Sequence, residues 1–327
     1  MADLLHVQVV APHALRGQVT EHIEQVDAAC NVIVMPDAAR QPRGDVIAFD
    51  VPREAINDLL EHLESLGVVE HGSITVFHTE LTLSQAAERA HRRAPGEPDD
   101  TVIWDEVAGK LRQAVKVTLP FVAFFVVAAV IAAAGVLTDS PILIVGAMVV
   151  GPEYGPVAAV AFGLHRRDGW LVRRGALAFG LGMASAILAA LLTAALVRAV
   201  GQTPEPYSTG QRPLTQFITE PDLFTALVAV AAAVAGMLAL SQDRAGTLVG
   251  VLISVTTIPA IAAVGVGIAY GNGDEIIGAV AQLGINLTCL VVVGVVTLRV
   301  LRHMSPRLRH AADPVTPASG SRIGLRR

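Results

Sequence analysis

The stretch VGAMVVGPEYGPVAAVAFG, residues 145–163, runs as a membrane helix until it meets Gly151-Pro152-Glu153-Tyr154-Gly155-Pro156. A carboxylate near the centre of an apolar span costs about 2.5–3.5 kcal/mol on insertion scales, so it needs a partner, a proton or water. Pro152 and Pro156 each lack an N–H, which leaves the carbonyls of Met148 and Pro152 without their helical donors. Hydrocarbon cannot satisfy those carbonyls, so such a break belongs in a protein interior or a wet cavity. Gly151 and Gly155 let the chain turn and let another backbone come close. The six residues therefore predict an unwound hinge with an ionisable group, able to exchange a proton or to coordinate a cation with the freed carbonyls.

Working outward, the whole chain is split in composition. At 53% hydrophobic residues and a mean hydropathy of +0.55, its 327 residues are too apolar for a soluble protein. Residues 1–116 hold most of the acidic groups, whereas 117–301 is nearly continuous apolar sequence. Six spans of about 20 residues fit there: 117–137, 141–163, 175–197, 223–241, 248–270 and 276–298. Lys110, Arg112, Lys116, Arg166, Arg167, Arg173, Arg174, Arg244, Arg299, Arg302, Arg307 and Arg309 all fall on one set of connections. The other set, TDS (138–140), the 199–222 loop and GNGDE (271–275), carries only Arg212. The positive-inside rule then puts both termini in the cytoplasm. The opening MADLLHVQVVAPHALRG has no basic n-region before an apolar h-region, so no cleaved signal peptide is expected.

Ahead of the spans, residues 1–80 alternate as a ferredoxin-like βαββαβ unit. Strands are expected at 5–11, 31–35, 45–51 and 73–79. Leu15, Val19, Ile23 and Val26 mark one amphipathic helix, and Ile56, Leu59, Leu60, Leu63 and Leu66 a second, closed by Gly67. Residues 81–116 form a polar linker and an amphipathic helix, TVIWDEVAGKLRQAV, that Asp99 or Asp100 can cap. Residues 299–327 read as a basic, disordered tail.

A shift of 104 residues lays 146–163 on 250–267, so that Gly146 meets Gly250, Ala158-Ala159-Val160 meets Ala262-Ala263-Val264, and Gly163 meets Gly267. These segments are the second and fifth of six spans, each the middle of a three-span unit. Because three is odd, the two units enter the membrane in opposite senses. Interrupted segments at matching places in two halves point to a midplane site in inverted-repeat transporters. Polar groups gather at similar depth: Glu153 and Tyr154 in the second span, Ser254, Thr256 and Thr257 near Pro259 in the fifth, Gln282 and Asn286 in the sixth. These residues make up the expected ion or substrate site, with Gly151, Pro152, Gly155, Pro156 and Pro259 as helix-breaking positions. Their bland alternative is interhelical hydrogen bonding in a kinked bundle.

Elsewhere the chemistry is sparse. His62, His71 and His78 lack metal spacing and are expected to be exposed. Cys30 and Cys289 fall in different halves, which argues against a disulfide. Trp104 and Trp170, near span ends, are expected interface anchors. No HExxH, GxSxG, P-loop or paired catalytic carboxylates occur, so no enzyme, cofactor, metal or nucleic-acid partner is expected.

The string Val145-Gly146-Ala147-Met148-Val149-Val150-Gly151-Pro152-Glu153-Tyr154-Gly155-Pro156 resembles a signature of the bacterial membrane proteins grouped as "domain of unknown function 389". In that family it reads Ile-Gly-Ala-Met-Leu-Ile-Ser-Pro-Leu-Met-Gly-Pro. Gly250 to Pro259 resembles a later Gly/Val-rich segment ending in Pro-Pro, and Asn286 matches an Asn of the last span. The resemblance covers about 117–298. Glu153-Tyr154 stands where the family has an apolar Leu-Met pair, and Ala260 where it has a second proline. The resemblance implies the fold but supplies no activity, and Glu153 rests on its physics alone.

The sequence thus predicts a multi-pass protein of a bacterial inner membrane, with six helices as inverted three-span repeats and an N-terminal cytoplasmic domain that is regulatory or oligomerising. The expected activity is passage of a small solute or ion, through a carrier or channel with its site at broken helices two and five. Its partners would be the lipid bilayer, that solute or ion, and further copies of the chain. The rival expectation is a membrane-anchored sensor or scaffold whose cytoplasmic domain binds a ligand or partner. Topology reporters fused at residue 90, within 199–222 and after 310 should report inside, outside and inside; an outside signal from either terminus overturns this map.

Overall fold

The computed structural model describes residues 4–79, 82, 84–93, 103–241 and 257–311. By its internal contacts the chain divides into two units, Met1–Ile103 with Arg302–Arg327, and Trp104–Leu301.

In the first unit, strands β1 (Leu4–Ala11), β2 (Cys30–Arg40), β3 (Arg43–Pro52) and β4 (Ser73–His78) form one sheet in the order β2-β3-β1-β4. Every pairing is antiparallel, with Val7 opposite Phe49 and Val76. Helices α1 (His13–Gln25), α2 (Ile56–Ser65) and the single turn α3 (Val68–His71) connect the strands. Alternation puts Leu5, Val7, Val9 and Ala11 on one face of β1, where Val19, Ile23, Ile56, Leu59 and Leu63 of the helices cover them. β2 runs past the expected end at 35 and through Pro36. It is an edge strand, where a missing N–H is tolerated, and its register shifts between Met35 and Ala39 absorb the irregularity.

The linker expectation needs correction. Residues 85–93 form α4 (Gln85–Arg93), which buries Ala87 and Ala90 with Leu4 and Cys30 on the sheet. Ile103 joins the main core of this unit. Two alanines three apart make a strip too narrow to stand out in a polar segment. Asp99 and Asp100, the expected cap, lie outside the described residues.

The second unit holds α5 (Trp104–Ala114), α6 (Leu119–Leu137), α7 (Pro141–Val150), α8 (Tyr154–Arg166), α9 (Gly169–Ala199), the short α10 (Glu205–Ser208), α11 (Leu223–Ser241), α12 (Thr257–Tyr270) and α13 (Gly273–Ala311). Four of these, α6, α9, α11 and α13, are long and apolar enough to cross a membrane, and the pair α7–α8 makes a fifth if counted as one bent span. The set is compatible with a multi-pass membrane protein. The expected second span is not one helix: α7 and α8 meet at 55°. The expected fifth span is described only from Thr257. The tail expectation also shifts, since α13 continues to Ala311.

Helix boundaries recur at an offset of 104 residues. α6 and α11 are both 19 residues and offset by 104 at each end. α8 ends at Arg166 and α12 at Tyr270; α9 begins at Gly169 and α13 at Gly273. The turns between them share their hydrogen bonds. Asp168 N–H donates to Gly163 O at 2.8 Å and Asn272 N–H to Gly267 O at 2.9 Å. Each side chain then caps the next helix, Asp168 accepting from Leu171 N and Asn272 from Glu275 N. The residue before each cap is left-handed, Arg167 at φ 60° and Gly271 at φ 72°.

The fragment 1–103 should unfold cooperatively by itself, because its core closes without the second unit. Trimming it to 1–80 removes α4 and Ile103 and should cost about 2–4 kcal/mol, read as a lower urea midpoint. Equal midpoints for the two fragments contradict the packing of α4.

Candidate functional site

The break between α7 and α8 is three residues long. Val150 closes α7, Gly151 is extended at φ −68° and ψ 133°, and Glu153 is the N-cap of α8. The last helical bond before the break is Gly151 N–H to Ala147 O, 3.1 Å. Pro156 is the third residue of α8, a position whose N–H has no intrahelical acceptor, and Pro259 lies in the described part of α12. Pro156 therefore starts a helix rather than breaks one, which corrects the six-residue hinge. Gly155 likewise lies inside α8. Its role is close approach: a Cβ there would sit 2.8 Å from the Ala114 Cβ of α5.

Glu153 is 2% exposed and Tyr154 7%, while Thr257 is wholly buried. Both Glu153 carboxylate oxygens, the Tyr154 hydroxyl and the Thr257 hydroxyl have no hydrogen-bond partner among the described residues. The carboxylate lies against Gly151, as does the Ile258 side chain of α12. The Tyr154 ring covers Gly236 of α11, where only glycine leaves room for it. Ile258 of α12 and the Glu153 carboxylate thus share one glycine of the break, while the Tyr154 hydroxyl points to α11. Each buried polar group left unpaired costs about 1–3 kcal/mol, so an unpaired carboxylate beside the break calls for a cause. Glu153 and Thr257 are themselves 104 residues apart, at the same point of corresponding helices.

The packing around them repeats in exchange. A Cβ on Gly265 of α12 would lie 2.7 Å from Ala190 Cβ of α9, and one on Gly294 of α13 would lie 3.2 Å from Ala161 Cβ of α8. Residues 161 and 265, and 190 and 294, are each 104 apart, so each contact is the other with the halves swapped. A two-fold relation between two segments produces that pattern.

Of the other expected site residues, Gln282 and Asn286 are 2% and 3% exposed on the buried face of α13 that Leu290, Gly294 and Leu298 continue. They stand on a different helix from the three unsatisfied groups. Ser254 and Thr256 lie outside the described residues.

Several polar clusters escaped the sequence reading. Glu275 accepts hydrogen bonds from Arg212 (2.8 Å), the Tyr207 hydroxyl (2.8 Å) and Asn272 (3.2 Å). Asp139 accepts from the Thr215 N–H and hydroxyl, both at 2.8 Å. The 199–222 loop is thereby fastened to the turn before α7 and to the turn before α13. A lone arginine in a loop that otherwise lacks cations was the available signal. His13 is the other case: its Nδ1 meets Asp45 at 3.1 Å and its Nε2 meets Asp37 at 2.9 Å. The hydrogen bond and charge of Asp45, then Asp37, raise the His13 pKa, and donation from both nitrogens suits an imidazolium rather than a metal ligand. His62, His71 and His78 are exposed, although His62 stacks on His22 at 3.7 Å. Trp104 stacks on His165 of α8 at 5.5 Å.

Residues 148–292 match the family model described as domain of unknown function (DUF389). This chain carries a DUF389 domain. The match runs from the last turn of α7 into α13 and so includes the break, Glu153 and Thr257. An uncharacterized protein of Methanocaldococcus jannaschii is 20% identical over 224 residues. The aligned part is 67% of this chain and 66%, just under two thirds, of that protein. No solved structure matches.

Removing an unpaired hydroxyl removes its desolvation penalty, so Tyr154→Phe should leave the melting temperature in detergent unchanged or raise it, by at most about 1–3 kcal/mol of stability. Gly236→Leu should lower it through overpacking against the Tyr154 ring, by about 1–3 kcal/mol. A destabilised Tyr154→Phe contradicts the geometry.

Proposed function

We propose that this DUF389 protein carries a small solute or ion across the membrane, with Glu153 as its proton or cation site. The observation that supports this best is a buried carboxylate without a hydrogen-bond partner among the described residues, at the break of a bent apolar helix pair where Ile258 of α12 also packs. A carboxylate in that setting is more economical as a binding group that is filled and emptied than as a structural one. The proposed lining is completed by Tyr154, Ser254, Thr256, Thr257, Gln282 and Asn286.

The finer architecture belongs to the same proposal. Two three-span halves, related by a two-fold axis in the membrane plane, account for the 104-residue offsets, the paired turns and the exchanged Ala/Gly contacts. The fifth span then includes residues before Thr257, and the count is six. Broken helices with a site between the halves suit alternating access, in which one half rocks against the other. The loop charges favour a cytoplasmic membrane with both termini inside, the ferredoxin-like unit serving regulation or assembly.

The test is flux into proteoliposomes, across a panel of ions and metabolites, with and without a pH gradient. Glu153→Gln keeps size and hydrogen bonding but abolishes titration, so it should insert normally and lose proton- or cation-coupled flux, by about a hundredfold on the scale of a lost charged contact of about 2.7 kcal/mol. Wild-type flux from Glu153→Gln at every pH would refute the assignment and leave the bent helix as a packing device.

A further inference from the structure

The second unit has a crevice of about 370 Å³ lined by Gln113, Ala114, Lys116, Thr118, Phe121 and Pro152. Its walls are the end of α5 and the start of α6, and Pro152 is the middle residue of the break. The residues on either side of Pro152 are the two that define the buried carboxylate: Glu153 carries it and Gly151 packs against it. The lining is mostly polar or exposed at one end, with Gln113, Lys116 and Thr118 all exposed, and closes on the break at the other.

α5 holds this crevice in place. Its first residue, Trp104, stacks on His165 near the end of α8, while its last, Ala114, sits against Gly155 near the start. The two helices therefore run antiparallel along the length of α8, tied also by Arg112 to Asp168 at 3.8 Å. Ala114 is small enough to bring α5 onto α8 yet leave the space beside Pro152 open.

We propose that this crevice is the entrance by which protons, carried on water, reach Glu153. The idea deepens the ion-carrier reading and rests on it for its purpose, but not for its geometry. Lys116 is the only charged side chain of the lining, and an ammonium at the mouth opposes metal cations. A proton passes it by exchange along hydrogen-bonded water and the Gln113 and Thr118 side chains, without a cation having to pass as such. The Pro152 carbonyl, which lies outside both α7 and α8, offers such water an acceptor at the inner end.

Chemical labelling tests the path independently of flux. A carbodiimide adds to a protonated carboxyl group, and the adduct at Glu153 is read by peptide mass spectrometry on the full-length protein in lipid nanodiscs. A water-soluble carbodiimide should label Glu153 through the crevice, and Gln113→Trp, which fills the mouth, should slow that labelling at least tenfold. Dicyclohexylcarbodiimide, which arrives through lipid, should label both proteins alike. Failure of the soluble reagent to label the wild type, or undiminished labelling of Gln113→Trp, overturns the proposal. Equal loss with both reagents overturns it as well, because the substitution would then act on Glu153 and not on the path. Since no transport is measured, a labelled Glu153 with no flux would refute the carrier reading and leave the entrance standing.

Discussion

A helix broken inside apolar surroundings leaves backbone carbonyls and a carboxylate that lipid cannot satisfy, and the second unit is arranged around that constraint. The break at Gly151-Pro152-Glu153 gives two short helices in place of one span, and the second of them is enclosed, as is α12. α8 is buried at Tyr154, at Pro156 to Ala159, and at Ala161 to Gly163. α12 is buried at every residue from Thr257 to Gly267. Alanine, glycine and valine dominate both, which lets α9, α11 and α13 approach closely. The long helices around them turn leucine outward: Leu177, Leu181, Leu188, Leu192 and Leu196 of α9 are all exposed. Small inside and leucine outside is the composition expected where lipid, not water, is the surrounding solvent.

The second consequence is an asymmetry between two positions 104 residues apart. Glu153 and Thr257 are each buried and each without a hydrogen-bond partner among the described residues. Only one of them can ionise. The clamp of Asp139 on Thr215, and of Glu275 on Arg212, lies at the opposite ends of α6 and α9 from Lys116 and Asp168. The loop is thus fastened at one end of these helices and the crevice opens at the other.

Much of this was legible from residue pattern alone. The break was visible because a Glu between glycine and proline in an apolar run has few readings, and the soluble sheet because LHVQVVA and DVIAFDV alternate or persist at strand length. The 104-residue offset was visible as weak identities, yet its force comes from helix ends and turn hydrogen bonds that no identity score contains. What escaped has a physical cause in each case. Pro156 looks like a breaker, but a proline in the first turn of a helix has no bond to lose. α4 was hidden because its apolar strip is only Ala87 and Ala90. The clamp on Glu275 unites residues more than sixty positions apart, a distance over which one sequence carries no pairing signal.

The central claim is that the Glu153 carboxyl changes state when the site is filled. Infrared difference spectroscopy on the membrane-embedded protein reads this directly, through the carbonyl stretch of a protonated carboxyl group as pH or cation concentration is stepped. The account requires a carboxyl band that appears and disappears with those steps and is missing from Glu153→Gln. A band pattern identical in wild type and Glu153→Gln would contradict it.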